Sequence, residues 1–373
     1  MSLLTKEKIL HALESIMDPD LHKNIVELGF VQNLQISETN EVSLDLVLTT
    51  PACPVREQFQ DSCKKLILAL GANAVTVNLS GAAQTQNNAS LENSYLKSVA
   101  NIIAVSSGKG GVGKSTVTAN LAMALSLSGA RVGILDADIY GPSMSLMFGI
   151  QTAPEVHDDK TISPVTVRGG IEIISMSMFA DAETATIWRG PMASQMIQNF
   201  LHRVRWGALD YLLIDFPPGT GDIQLTLTQT APISGAIVVT TPQEVALADT
   251  RKGLSMFDSV GVPVLGIVEN MSYFICDHCE KKHFIFPAGG GKSLEKKWGV
   301  PLLAEIPIEP AIAEGSDLGT PIVLRAPNSV SAHVFTSIAE KTIRSLAILQ
   351  SKQNQGMYPF ELSWEELLIK EEK

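Results

Sequence analysis

The sequence predicts an α/β protein in which a small α/β domain precedes a larger domain with a mostly parallel sheet flanked by helices. In the larger region, strands alternate with helical segments, and several strands are continuous apolar runs. Such runs are expected where helices cover both faces of a parallel sheet. A connector rich in Ala, Gln, Asn and Ser, from about Gly81 to Asn93, separates the two regions. The 373 residues are too many for one ordinary domain.

The first 80 residues have the pattern of a compact α/β unit. Helical periodicity, strand alternation and turn residues follow one another there. The predicted elements are a helix at Leu3–Met17, paired strands at Leu34–Ile36 and Val42–Leu48, a helix at Val55–Leu70 and a strand at Val75–Leu79. We therefore predict a small domain over residues 1–80 and a flexible linker over residues 81–97.

The larger domain is predicted over residues 98–350. It is expected to have one helix after Lys114 and a final helix from about Ser329 to Gln350. Its predicted strands are Ile102–Val105, Val132–Leu135, Tyr211–Ile214, Gly235–Thr240, Val264–Val268 and Leu302–Ile306. Residues 351–373 form a tail with the pattern of one short, acidic amphipathic helix.

Composition and charge narrow the classes of function. A net charge of -11 and a pI near 5.2 argue against general attraction to nucleic acid or to anionic lipid surfaces. No apolar run reaches the roughly 18–20 residues that cross a bilayer. Charged residues interrupt the N-terminal segment where a signal peptide would be apolar. Four cysteines in so long a chain do not make a disulfide framework. We therefore expect a cytoplasmic protein with no nucleic-acid or membrane partner.

The segment GKGGVGKST has the context of a P-loop, because it follows the apolar strand NIIAV and precedes a helical segment. Glycines let backbone N–H groups converge on phosphate oxygens, and the helix N-terminus adds its partial positive charge. The larger domain is therefore predicted to be a P-loop NTPase domain. Lys114 is expected to reach the β- and γ-phosphates, and Ser115 to ligate Mg²⁺. The predicted nucleotide-binding residues of the loop are Gly108, Lys109, Gly110, Gly111, Val112, Gly113, Lys114, Ser115 and Thr116.

Two further segments place acidic residues at the ends of strands. Asp136 and Asp138 follow the strand VGIL, whereas Asp215 ends the strand YLLI and opens DFPPGTGD. Asp215 is predicted to be a Walker B aspartate that holds Mg²⁺ through water, and Asp138 to orient or deprotonate the attacking water. Asp136 is expected to act only through its neighbours. The alternative, that these aspartates merely cap helices, is weakened because two such strands accompany a P-loop.

Lys109 is a second lysine in the loop, too early to share the work of Lys114 on the same nucleotide. We expect it to reach across a dimer and neutralise developing charge on the partner's nucleotide, as an arginine finger does. The predicted catalytic residues are therefore Lys109, Lys114, Asp138 and Asp215.

Several motifs together resemble those of a known family. GKGGVGKST resembles the deviant Walker A motif of the MinD/ParA/nitrogenase-iron-protein class of ATPases. Within that class, DADIYGPS, DFPPGTGD, VENMSYF and the pair Cys276 and Cys279 resemble the Mrp/ApbC (Nbp35-like) group of iron–sulfur cluster carriers. The N-terminal region, with TTPACPV, resembles the iron–sulfur assembly domain of many bacterial Mrp proteins. The resemblance extends to about residue 350.

The resemblance implies a homodimer that holds two ATP molecules between its subunits, with Lys109 acting in trans. It also implies that Asn270 and the segment around Pro307 contact adenine. The implied activity is hydrolysis of ATP to ADP and phosphate by a carrier that takes a cluster from an upstream scaffold and transfers it to acceptor apoproteins. No guanine-recognition NKxD element is visible in the sequence, which favours ATP over GTP.

The pair Cys276 and Cys279 lies in a loop after the strand GIVEN, with His278 and His283 nearby. Two thiolates are half of the four ligands that a closed tetrahedral site needs. A two-fold dimer would supply four thiolates, which matches the bridging [4Fe–4S] cluster that the resemblance implies. A Zn²⁺ site, made of thiolates across the dimer or completed by histidine, and a redox dithiol remain open alternatives.

The other two cysteines have simpler interpretations. Cys53, between Pro51 and Pro54, is expected either to help in handling a cluster or a partner, or to be a small buried cap. Cys63, in the helical stretch SCKKLILAL, is expected to pack in the core.

Two alternatives belong to other classes of protein. One is a positioning or partition switch of the MinD/ParA type, which binds a membrane or DNA in its ATP form. The acidic C-terminal segment EELLIKEEK and the CxxC pair, which has no use in that role, disfavour it. The other is a P-loop metallochaperone that is loaded with zinc or nickel, which elemental analysis would distinguish.

Overall fold

The computed structural model describes residues 4–19, 21, 23–37, 39–48, 55–81, 95–179, 190–276 and 278–354. They divide into two compact units, the smaller within residues 1–84 and 347–356, and the larger within residues 85–346. Most of the expected linker, the tail beyond residue 354 and the segment around Cys53 lie outside the described residues. The domain boundaries drawn from the sequence therefore stay a prediction.

The smaller unit has a three-stranded sheet with two helices packed against it. Its elements are α1 (Lys6–Leu13), β1 (Val31–Ile36), β2 (Glu41–Leu48), α2 (Arg56–Ala69) and β3 (Ala74–Gly81). The central strand, β2, is antiparallel to β1 and parallel to β3. Alternate residues of β2 are buried, and they share one hydrophobic core with residues of both helices, including Cys63. The secondary structure predicted for this region is present.

The larger unit is built on a sheet in which, among the described residues, nine strands are joined. The order is β13-β12-β11-β4-β10-β5-β9-β8, with β14 paired to β12. All pairings are parallel except those of β8 and β13, which are antiparallel. The strands of this unit are β4 (Val99–Ser107), β5 (Val132–Asp136), β6 (Glu155–Val156), β7 (Ile162–Ser163), β8 (Val165–Thr166), β9 (Glu172–Ser175), β10 (Leu209–Asp215), β11 (Gly235–Thr240), β12 (Val264–Ile275), β13 (Lys282–His283) and β14 (Leu302–Ile308). The short strands β6 and β7 pair separately.

Helices connect most of these strands. The helices are α3 (Lys114–Leu127), α4 (Met144–Met147), α5 (Gly190–Arg203), α6 (Asp222–Thr230), α7 (Glu244–Ser259) and α8 (Gly290–Trp298), with α9 (Pro310–Asp317), α10 (Ile322–Arg325) and α11 (Val330–Asn354) after the last strand. Residues 347–354 of α11 belong to the smaller unit. Single 3₁₀ turns lie at residues 95–98, 168–170 and 176–178. Within the described ranges, no helix is both long and apolar enough to pass through a bilayer.

The burial of the central strands explains why their sequences are continuous apolar runs. Every residue of β4, β5, β10 and β11 is buried, which requires cover on both faces of the sheet. The α/β class with a mostly parallel sheet is confirmed. The strands β6 to β9 were not predicted from the sequence. The predicted end of β12 at Val268 was also wrong, because the strand continues to Ile275. That continuation carries the chain to Cys276.

Candidate active site and metal-binding hairpin

Glycines shape the loop between β4 and α3. Gly113 immediately precedes α3 with a φ of 83°, in the left-handed region that glycine tolerates best. A Cβ added at Gly113 would meet the side-chain amide of Asn270, and one added at Gly108 would meet the backbone of Asp249 in α7. The loop backbone is therefore in close contact with two neighbouring segments, which fixes its course.

A cavity of about 260 Å³ lies at this loop, where β4, β5 and β10 end. Asp138, Ser143 and Pro218 line it from the segments that follow β5 and β10. The loop residues that line it are Gly110, Gly111, Gly113, Lys114, Ser115 and Thr116. The predicted ligands Gly108, Lys109 and Val112 are not part of this lining, although they belong to the same loop.

Lys114, Ser115 and Asp215 form a compact polar group at the base of the cavity. Lys114 Nζ lies 2.7 Å from Asp215 Oδ2, and both side chains are buried. Ser115 Oγ donates to Asp215 Oδ2 at 2.6 Å. Thr118, one turn further along α3, donates to the other carboxylate oxygen at 2.7 Å. Ion pairing and two hydroxyl donors compensate the cost of burying this carboxylate.

Asp136 and Asp138 follow β5, beside Asp215. Asp136 pairs with Asp215 in the register of β5 and β10. Its Oδ2 accepts hydrogen bonds from Ser175 Oγ at 2.8 Å and from the backbone N–H of Met144 at 3.1 Å. Burial, and then the neighbouring charge of Asp215, raise the pKa of Asp136. Asp136 therefore ties the segment after β5 in place and does not line the cavity.

Asp138 is the acidic residue of this segment that lines the cavity. Its Oδ2 lies 3.7 Å from Lys114 Nζ, and its side chain is 13% exposed, so water can reach it. Burial is the main cause that raises the pKa of Asp138, while Lys114 opposes this shift.

The segment after β10 is attached to the end of β4. Phe216 N–H donates to Val105 O and Gly219 N–H to Ser107 O, each at 2.9 Å. Gln224 in α6 donates through Nε2 to the carbonyls of Pro217 and Pro218, at 3.0 and 2.9 Å. These bonds give the Gly- and Pro-rich motif DFPPGTGD one defined path along the cavity.

Lys109 lies apart from the group around Lys114. Its side chain is exposed, and no ion pair with another described residue is present. Ser107 Oγ donates to its backbone carbonyl at 3.0 Å. The ammonium group is therefore available to something other than the carboxylates of its own loop.

Asn270 and Pro307, for which the family resemblance implies contact with adenine, lie on the neighbouring strands β12 and β14. Asn270 is buried, and its Nδ2 donates to Val112 O at 2.9 Å, while its Oδ1 accepts from Met271 N–H at 2.9 Å. Pro307 is buried opposite Tyr273. Neither residue lines the cavity at the loop. The side chain of Asn270 thus holds the phosphate loop by a hydrogen bond to the loop backbone. Contact of Asn270 with adenine stays a prediction.

Cys276 follows β12 directly, in the turn that leads to β13. Cys276 is half-buried, whereas Cys279 and His283 are exposed. One ligand atom from each of these three residues lies within 4.8 Å of the other two. The structure thus brings the two thiols together as predicted from their spacing, and it adds His283 but not His278. Cys63 is fully buried in the smaller unit, and burial raises its pKa to about 11.

Sequence reasoning missed two hydroxyl groups of this site. Thr118 was readable as the residue one helical turn after Lys114, on the same face of α3. Ser143 lies in the motif DADIYGPS, but its Oγ became notable only in three dimensions, because it is buried without a hydrogen-bond partner among the described residues. Both residues lie in segments that the sequence analysis had already assigned to the nucleotide site.

Comparisons with known proteins agree with this geometry. Residues 98–343 match the model of the NUBPL iron-transfer P-loop NTPase family. The chain belongs to this family. Residues 6–79 match a second family, described as iron-sulfur cluster assembly protein. The resemblance inferred from the motifs is therefore confirmed, with a P-loop NTPase region preceded by an assembly-type region.

Full-length relatives of this NUBPL-family chain are similar over nearly its whole length. An iron-sulfur cluster carrier protein of Synechocystis sp. is 48% identical over 346 residues, which are 91% of this chain and 97% of the relative. The chloroplastic Fe-S cluster assembly factor HCF101 of Arabidopsis thaliana is 44% identical over 356 residues, which are 93% of this chain and 65% of that protein.

Two solved structures resemble the NTPase region. One is a nucleotide-binding protein of Archaeoglobus fulgidus in complex with ADP, with 42% identity and a TM-score of 0.55 over 63% of this chain and 92% of that one. The other is the septum site-determining protein MinD of Pyrococcus horikoshii with Mg-ADP, with 27% identity and a TM-score of 0.51 over 67% and 98% of the two chains.

Proposed function

We propose that this chain is an ATP-hydrolysing carrier that binds an iron–sulfur cluster between two copies of itself and transfers it to acceptor apoproteins. The observation that carries the proposal is that one strand, β12, serves both candidate sites. Asn270, within this strand, holds the carbonyl of Val112 in the phosphate loop, and Cys276 follows the end of the strand. Membership of the iron-transfer family, and relatives named as carriers along the whole chain, support this function over a positioning switch.

The residues present fit a magnesium nucleotide. The Ser115 hydroxyl and the Asp215 carboxylate are hard oxygen donors, 2.6 Å apart, of the type that Mg²⁺ prefers. When bound, Mg²⁺ would neutralise charge on the β- and γ-phosphates. The protein supplies the converging N–H groups of residues 110–116 and the N-terminus of α3 for the phosphates. The ADP complex of the Archaeoglobus relative supports an adenine nucleotide.

Binding of the nucleotide requires an exchange of partners at Lys114. Its ammonium group is paired with Asp215 in the structure, at 2.7 Å. In the proposed complex Lys114 would turn to the β- and γ-phosphates, and Asp215 would hold Mg²⁺ through water. Thr118 keeps its hydrogen bond to the carboxylate and preserves its orientation. Lys114 and Asp215 are thus already close to the positions in which they would bind the phosphates and Mg²⁺.

Hydrolysis requires a group that positions water beyond the γ-phosphate, and we assign this role to Asp138. It lines the cavity on the side of the segment after β5 and lies 3.7 Å from Lys114 Nζ. Ser143, whose hydroxyl has no partner among the described residues, lines the same cavity and can hold the water or a phosphate oxygen. Asp138 then accepts the proton that the attacking water loses.

Lys109 is proposed to act on the nucleotide of a second chain. Its exposure and its absence from the lining of the cavity in its own chain support an action in trans. A cation that arrives only when two chains meet would make hydrolysis depend on dimerisation. Such a dimer would also bring two Cys276–Cys279 pairs to one axis, and four thiolates are the ligand set of a [4Fe–4S] cargo.

The action of Lys109 in trans can be tested by mixing inactive chains. We expect Lys114→Ala to abolish hydrolysis, and Lys109→Ala to lose turnover while it still binds ATP. In a mixed dimer, the Lys109→Ala chain keeps its own Lys114 and receives Lys109 from the Lys114→Ala chain, so one of the two sites is complete. Equal mixing should therefore restore about a quarter of the wild-type rate. No recovery after subunit exchange would exclude the action in trans.

The cluster ligands can be tested by anaerobic reconstitution with iron and sulfide. We expect the wild-type chain to bind one [4Fe–4S] cluster per dimer and the Cys276→Ala/Cys279→Ala variant to bind none. Cys63→Ala is the matched control, because it removes a thiol that is buried elsewhere in the chain, and it should bind the full amount. A double variant that still holds four iron atoms per dimer would contradict the ligand assignment.

A further inference from the structure

Three side chains on one hairpin form a group, and one of them, His283, is not needed by the shared cluster. A sulfur atom of Cys276, a sulfur atom of Cys279 and a ring nitrogen of His283 all lie within 4.8 Å of one another. In a tetrahedral Zn²⁺ site, metal–ligand distances near 2.0–2.3 Å place neighbouring ligand atoms about 3.3–3.8 Å apart. Closing the group around one ion therefore requires only a small movement of each side chain.

The hairpin itself explains why His283 joins the two thiols. Phe274 of β12 pairs with His283 of β13, and Ile275 pairs with Lys282. Lys282 lies over the ring of Tyr273, with its Nζ 4.2 Å from the ring centre. Because side chains alternate along a strand, His283 lies on the opposite face of the hairpin from Lys282.

Two backbone hydrogen bonds join the described residues of the turn between the two strands. Cys276 N–H donates to Lys281 O at 3.1 Å, and Glu280 N–H donates to Cys276 O at 2.8 Å. Glu280 has a φ of 56°, a conformation that reverses the chain tightly. The backbone at Cys276, Glu280 and Lys281 is thus hydrogen-bonded before any metal binds, which lowers the entropy cost of assembling the ligands.

We propose that a single chain binds one divalent ion of the zinc class through Cys276, Cys279 and His283, with the fourth position open to water or to an incoming ligand. Two thiolates and one imidazole are a ligand set of the type that Zn²⁺ takes with an open position. The exposure of Cys279 and His283 leaves room for the fourth ligand. This goes beyond the proposed function, since a cluster shared by two chains takes four thiolates and leaves His283 out.

Cobalt is the probe for this site, because Co²⁺ adopts the same tetrahedral geometry and its thiolate complexes absorb in the visible and near-ultraviolet. The reduced, nucleotide-free chain is titrated anaerobically with Co²⁺ alone. We expect one Co²⁺ per chain, with absorption from two thiolates. His283→Ala should weaken binding by at least about tenfold, the range seen when a group that supports a metal is lost.

His278→Ala is the matched control, because His278 lies in the same turn but outside the group of three. It should bind Co²⁺ as the wild-type chain does. One Co²⁺ per two chains with absorption from four thiolates, or equal affinity in the His283→Ala and His278→Ala variants, would overturn the proposal. Cluster loading is assigned to Cys276 and Cys279 alone. Reconstituted His283→Ala should therefore hold the wild-type amount of iron and sulfide even though it binds Co²⁺ weakly. A loss of iron and sulfide in this variant would count against the proposed function and not against the single-chain site.

Discussion

Replacing Gly113 by alanine should destabilise the larger unit by two separable amounts. Gly113 has a φ of 83°, and a residue with a Cβ costs about 1–2 kcal/mol in this region. The added methyl group also meets the amide of Asn270, and forcing extra atoms into a packed site costs about 1–3 kcal/mol. The two terms together give about 2–5 kcal/mol.

Gly111→Ala provides the matched control in the same loop. Gly111 has a φ of 79°, nearly the same conformation, but nothing lies within 4 Å of its added Cβ. Only the backbone cost of about 1–2 kcal/mol is therefore expected. The difference between the two variants isolates the contact of the loop with Asn270, and hence with β12.

The assay is urea unfolding followed by tryptophan fluorescence. Trp206 lies in the hydrophobic core of the larger unit and Trp298 packs against it, so their fluorescence reports on the unfolding of that unit. A double-mutant cycle with Asn270→Ala completes the test, because removing the amide should relieve most of the steric part of the Gly113→Ala loss. Equal losses for Gly111→Ala and Gly113→Ala, or a Gly113→Ala loss unchanged in the Asn270→Ala background, would refute the reasoning.

Two further predictions concern titrating groups outside the active site. Because burial raises the pKa of Cys63 to about 11, iodoacetamide should leave this thiol unmodified in the native chain and modify it in urea, as peptide mass spectrometry would show. Labelling of native Cys63 at the rate of Cys279 would contradict its burial. Hydrogen bonds from Thr161, and then Arg205, lower the pKa of Asp159 to about 2. The stability that ionised Asp159 contributes is therefore present above its ordinary pKa of 3.8 and is lost as the pH falls towards about 2. In an NMR titration, Thr161→Ala should move the pKa of Asp159 back towards 3.8, and an unchanged value would count against this cause.

Local sequence was sufficient to predict the phosphate loop and the strands that end at it. The glycines, Lys114 and Ser115 are consecutive, and an apolar run before them marks a buried strand. Asp215 and Asp138 could be found because the carboxyl ends of parallel strands meet at one edge of a sheet. The role of Ser175 required the structure, since it depends on which face of β9 meets the carboxylate of Asp136.

The metal-binding hairpin shows where sequence reasoning ends. The spacing of Cys276 and Cys279 predicts a pair of ligands, but it does not distinguish His278 from His283 as a third. That choice depends on the register of β12 with β13, which is set by backbone hydrogen bonds and by the turn at Glu280. Asn270 was assigned to adenine by resemblance, whereas its bond to Val112 O depends on how closely β12 approaches the loop.

The irregular pairing of β12 with β14 divides the strand into two arms. Their register shifts between Glu269 and Tyr273, and Met271 between them has a φ of 55°. Beyond this irregularity, residues 273–275 are paired without a further register shift. The number of residues in this arm therefore sets the face on which the thiol of Cys276 lies. Insertion of one residue between Tyr273 and Cys276 would turn the thiol away from His283, whereas insertion of two would return it to the same face. Related chains that keep this group of ligands are therefore expected to keep the number of residues between Tyr273 and Cys276 unchanged.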